Sequence, residues 1–220
     1  MLAFFTVLIM LAVAYAHFRE GIFTALTSLV NVIIAGLVTF NFYEPIADLL
    51  DPLFAKSFMA GIEDYLALVA LFCITLSLLR LATNNLANRQ LEFPPMPNQI
   101  GGAAVGLVTG YLACGFIVCV LQTIPWHQNF LEFTARLEKE ESGLRRFLPP
   151  DRAWISLMRH AGAASFSRKE TSPGEDSVYD RFSTFDRAGT FEVRHFRYRR
   201  YSDQRGPLTY QGELEYQLKP

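Results

Sequence analysis

The sequence predicts an all-α membrane bundle of four transmembrane helices carrying a small α+β soluble tail of helices, linker and terminal β-hairpin. Two observations carry this reading. Residues 1–126 hold four Lys/Arg and seven Asp/Glu, whereas residues 127–220 hold sixteen and fourteen, so the net charge of −1 averages two unlike halves. The first half is also divided into apolar runs that approach or reach the roughly 20 residues a helix needs to cross the hydrocarbon core, where a backbone must satisfy its own hydrogen bonds.

The first run, Met1–Ala16, is apolar apart from Thr6, with Tyr15 and Phe18 as interfacial aromatics. Ala14-Tyr15-Ala16 has the small-x-small form of a signal-peptidase site. A basic leading region is lacking, however, and further spans follow, so the run reads as a retained helix. Ile22–Tyr43 has 22 uncharged residues and ends on Phe40, Phe42 and Tyr43. Tyr65–Leu79 is followed by Arg80, whose guanidinium can extend to the headgroups while Leu81 and Ala82 continue the run. Ile100–Ile124 is uncharged over 25 residues, between Pro97-Asn98 and Pro125-Trp126. A soluble helical protein would need a polar face on each of these segments, and they have none.

In the last span Gly102, Gly106 and Gly110 recur every four residues and the small Cys114 continues the step. On a helix of 3.6 residues per turn this makes a slowly drifting stripe with little side chain, where a second helix can approach backbone to backbone. Such a stripe either packs a helix or lines a flexible or substrate-contacting surface; packing is the commoner use. Self-association through it is a second expectation. Polar residues inside the spans are few, chiefly Asn31, Thr75, Ser77 and Thr109, and no carboxylate, lysine or arginine stands at a span's centre, against a pump or ion-coupled transporter. Arg19, Asn31, Arg80, Asn98 and Thr109 are the candidates for interfacial or lining roles.

The turn Arg19-Glu20-Gly21, followed by Ala25-Leu-Thr-Ser-Leu29, and the run Asn98-Gln-Ile-Gly-Gly-Ala-Ala-Val-Gly-Leu-Val-Thr-Gly110 resemble the colicin V production (CvpA) protein family over about residues 1–125. An Asn/Asp followed at four-residue steps by three glycines is matched by Asn98, Gly102, Gly106 and Gly110. The chain departs from the family at Gln99, where a basic residue often stands, and at Thr24 and Ala25, where an Arg-Glu pair often follows the first glycine of helix two. The resemblance implies a four-span bacterial inner-membrane protein linked to peptide-toxin production or export and to envelope integrity, with no established catalytic activity. Some relatives carry an exported protease domain after the spans.

With four spans, the 17–21 turn and the 80–99 loop share one side and carry Arg19, Arg80 and Arg89. The 44–64 loop carries Lys56 against Glu44, Asp48, Asp51, Glu63 and Asp64. Basic short loops mark the cytoplasm, which directs both termini outward, to the periplasm. Arg136, Lys139, Arg145 and Arg146 at the start of the tail argue the other way, although long domains cross despite their charge.

Residues 127–164 read as amphipathic, juxtamembrane helices: one over 127–148 ended by Pro149-Pro150, then a second from Pro150-Asp151 with Trp154, Leu157, Met158 and Ala161 on one face. Residues 165–220 open with a polar linker at 165–176. Thr190–Tyr201 and the strict alternation of Leu208, Tyr210, Gly212, Leu214, Tyr216 and Leu218 then predict a hairpin. Arg194, Arg197, Arg199 and Arg200 lie among Phe196, Tyr198 and Tyr201, a pattern that suits an anionic lipid surface or nucleic acid, or simple cross-strand pairing with Glu213 and Glu215. Pairing is the plainer account, and nucleic acid is disfavoured for an exported tail.

Cys73, Cys114 and Cys119 all fall in apolar runs and define no disulfide framework. His17, His127, His160 and His195 are scattered, and no HExxH, CxxC, GxSxG or Walker loop occurs, so neither a metal nor a cofactor nor an enzyme is expected. The expectation is a non-enzymatic scaffold or accessory that contacts the lipid bilayer and an envelope or secretion partner. The alternative is a transporter or channel for a small solute or peptide.

Overall fold

A computed structural model describes residues 2–54, 62–86, 94–124 and 149–165, together with Phe185 and Phe191. The described chain is helical: α1 (Leu2–Glu20), α2 (Ile22–Phe54), α3 (Glu63–Leu86), α4 (Pro95–Thr123) and α5 (Pro150–Ser165). The predicted 127–148 helix, the 165–176 linker and the terminal hairpin lie outside the described residues, apart from Phe185 and Phe191. Phe191 falls within the expected first strand and has helical backbone.

Ile22–Leu50, Glu63–Asn85 and Pro95–Thr123 are each long and apolar enough to cross a membrane. α1 is equally apolar but shorter, at 19 residues. The helices outrun the apolar runs that nucleate them. α2 continues beyond Tyr43 through Pro45 and Pro52, each of which lacks an N–H donor, before ending at Phe54. α4 starts early because Pro95 occupies its first turn, where a missing N–H costs nothing and the fixed φ suits the helix.

A single residue, Gly21 at φ 95°, separates α1 from α2. The chain reverses there, yet α1 packs chiefly along α4 and only slightly along α2. α2 packs on both α3 and α4, and α5 lies across α4 and α2. The order through the bundle is therefore α1, α4, α2, α3. Leu8, Leu11 and Tyr15 of α1 and Ile74, Leu78 and Leu81 of α3 remain exposed on its outside, as lipid-facing residues do.

The core gathers at one end around Phe40. Its ring meets Phe116 at 6.2 Å, Trp154 at 6.1 Å and Phe185 at 4.8 Å between centroids, while Phe72 stacks on Phe116 at 3.8 Å. α2, α3, α4, α5 and the later Phe185 and Phe191 thus converge on one aromatic cluster.

Candidate functional site: the glycine seam and its asparagine lock

The seam runs up one face of α4 and meets the backbone of α1. A Cβ on Gly102 would strike the His17 carbonyl oxygen and stand 2.9 Å from the Gly21 carbonyl carbon. One on Gly106 would stand 2.9 Å from Ala14 Cα, and one on Gly110 would stand 2.8 Å from Met10 Cα. Positions rise along α4 as they fall along α1, so the two helices are antiparallel and in contact over three turns. The stripe ends at Cys114, whose thiol donates to Thr6 Oγ1 at 3.3 Å, with both side chains buried.

Asn98 closes the seam at the other end. Its Oδ1 accepts the Ile22 N–H at 2.8 Å, one of the orphan donors that every helix N-terminus carries. The Asn98 amide also fills the space beside Gly21, so a Cβ there would meet Nδ2 at 2.6 Å in addition to the strain of a positive φ. Arg19, two residues from this corner, is exposed.

The remaining polar candidates lie elsewhere. Asn31 is buried between α2 and α3 and donates through Nδ2 to Thr83 Oγ1 at 3.1 Å; the Thr83 hydroxyl in turn lies 3.1 Å from the Arg80 carbonyl oxygen. The Arg80 side chain is exposed. Thr109 is buried and donates back to the Val105 carbonyl oxygen of its own helix at 3.0 Å. Arg194, Arg197, Arg199 and Arg200 lie outside the described residues.

A second close approach has no counterpart in the sequence reading. Trp154 is fully buried, its ring pressed against the flat face left by Gly36 of α2 and its Cβ 2.8 Å from where a Cβ on Gly115 of α4 would be. At the head of the same helix Gln122 Nε2 donates to Asp151 Oδ2 at 3.1 Å, with both groups buried. Of the apolar face expected on α5, Trp154 and Met158 are buried in the bundle and Leu157 and Ala161 are half-buried. The readable signals were the lone Gly36 in a span of large residues and a tryptophan at the centre of an amphipathic stripe.

Several long apolar helices joined by backbone-close glycine packing define an α-helical membrane protein. The family model for Colicin V production proteins matches residues 2–144, and the chain belongs to that family. The match takes in α1 to α4 and stops before α5. No curated protein and no solved structure is significantly similar to the chain.

Proposed function

We propose that this protein is a non-enzymatic scaffold or accessory of the bacterial inner membrane, acting in toxin production or export and in envelope integrity through contacts with other envelope proteins. The observation that carries the reading is how four buried polar side chains within the helices, Asn31, Thr39, Thr109 and Cys114, are used. Asn31 bonds to Thr83, Thr109 and Thr39 to their own helix carbonyls, and Cys114 to Thr6, so each is taken up by packing rather than turned toward a solute path.

On this reading α1 is the fourth span, held in place by α4. The end with Arg19 faces the cytoplasm, while Glu44, Asp48, Glu63, Asp64 and α5 face the periplasm. The test is labelling with an impermeant maleimide in intact cells, using single cysteines at Lys56, Gln90 and Ser172 in a variant free of the native three. Reaction at 56 and 172 but not 90 is expected; reaction at 90 alone overturns the topology. Purified protein in vesicles is expected to leave them no leakier than empty ones, and a flux abolished by Asn31→Leu would replace the scaffold with a transporter.

A further inference from the structure

α5 is seated differently from the helices it packs on. Its buried positions Asp151, Trp154, Ile155, Met158 and Gly162 follow the one-face spacing of a helix laid in a groove. α2 and α4 pack on each other directly and supply both walls of that groove without help from α5. The fit is specific. Gly36 and Gly115 leave a slot for the ring and Cβ of Trp154, and a Cβ on Gly162 would lie 3.9 Å from Asn41 Cγ. Two polar contacts hold the first turn: Gln122 Nε2 donates to Asp151 Oδ2 at 3.1 Å, and the Cys119 thiol donates to the Asp151 carbonyl oxygen at 3.6 Å.

Neither the connection nor the composition of α5 ties it to this seat. α4 ends at Thr123 and α5 begins at Pro150, yet Gln122 and Asp151 touch. At about 3.3 Å per extended residue, the intervening chain is many times longer than the gap it bridges. α1, by comparison, is joined to α2 through the single residue Gly21.

α5 also carries Asp151, Arg152, Arg159 and His160 within 16 residues, and the spacing of Arg152, Ser156, Arg159 and His160 puts them on a different face from Trp154. A helix of that kind has a second resting place at a lipid surface, with its apolar face in the acyl boundary. Lipid is as apolar as the groove, so moving Trp154 and Met158 from one to the other brings no hydrophobic gain. What favours the groove is the close approach at Gly36 and Gly115 and the contacts of Asp151. The groove moreover belongs to the part of the chain that the family model matches, whereas α5 lies beyond residue 144, where that match ends.

We propose that the α2–α4 groove is a docking site for an amphipathic helix with a tryptophan anchor, and that α5 is a releasable occupant masking it in cis until a partner helix of the same chemistry displaces it. The proposal rests on the scaffold reading above and names the partner surface which that reading requires. The probe is a dye-labelled synthetic peptide of residues 149–165, titrated onto the full chain in lipid nanodiscs and read by fluorescence anisotropy above the signal of empty nanodiscs. In a chain free of the native cysteines, Asn41→Cys with Gly162→Cys staples α5 into the groove on oxidation. The unsubstituted chain and the reduced double variant are expected to bind the peptide several-fold more tightly than the stapled form, and the peptide with Trp154→Ala is expected to lose binding. Equal binding to the stapled and reduced forms, indifference to Trp154→Ala, or no binding of the unsubstituted chain above empty nanodiscs overturns the proposal. A solute flux in the vesicle experiment above would sink the scaffold and leave the exchange of α5 standing, whereas a chain that keeps vesicles tight but does not exchange α5 refutes this proposal alone.

Discussion

Asn98 and Ile22 stand 76 positions apart in sequence, yet the Asn98 side-chain oxygen accepts the Ile22 N–H at 2.8 Å and so caps a helix to which it does not belong. The bond ties the start of α4 to the α1–α2 corner. It also explains why an oxygen-bearing side chain stands one step before the first glycine of the seam.

Asn98→Leu removes the acceptor and leaves the Ile22 donor facing an apolar group, a loss of about 1–3 kcal/mol. Asn98→Asp keeps an oxygen in place. Thermal unfolding in detergent is expected to show a clear drop in midpoint for the first variant and a small one for the second.

Neighbouring glycines of α4 should respond differently to the same methyl group. At Gly102 a Cβ meets the His17 carbonyl, which is backbone and cannot move aside, whereas at Gly101 it meets the flexible end of Ile22 at 2.6 Å. Gly102→Ala is expected to cost about 1–3 kcal/mol and Gly101→Ala distinctly less. Gly106→Leu is expected to part α1 from α4 altogether, seen as protease sensitivity of α1. Equal stabilities of the two alanine variants would show that the seam is looser than described.

Trp154→Ala opens a cavity between α2 and α4 and is expected to cost about 3–5 kcal/mol. A gentler measurement uses fluorescence, since the chain has two tryptophans and Trp126→Phe leaves Trp154 as sole emitter. Its emission should be blue-shifted and poorly quenched by acrylamide. Gly36→Val should expose it to quencher by displacing the ring that lies on that glycine.

The Asn31–Thr83 bond joins α2 to α3 across the span, and a double-mutant cycle with Asn31→Leu and Thr83→Val should yield a coupling of about 0.6 kcal/mol. A coupling near zero would show that the bond does not fix the register of α3.

The spans were legible because lipid demands unbroken apolar runs, so Ile22–Tyr43 and Ile100–Ile124 announce themselves without any knowledge of packing. The seam was legible too, since four-residue steps of glycine mark a helix face. Its partner was not: spacing on α4 says nothing about which helix approaches, and α1 meets it only through a corner at Gly21 far away in sequence. The Asn98 cap and the Gln122–Asp151 pair escaped for a related reason, each being a contact between segments distant in sequence and made of residues common at helix ends. Trp154 was read as part of the apolar face of a juxtamembrane helix without a partner, because amphipathicity fixes which face is buried but not what covers it.

The one-residue corner at Gly21 bears on how the protein is made. α1 leaves the ribosome early, but the glycines that receive it lie some 80 to 100 residues later. At translation rates of about 5–20 residues per second, α1 is complete on the order of ten seconds before its partner, with Met10, Ala14 and His17 uncovered. During that interval the face of α1 that Gly102, Gly106 and Gly110 will cover is without its seat.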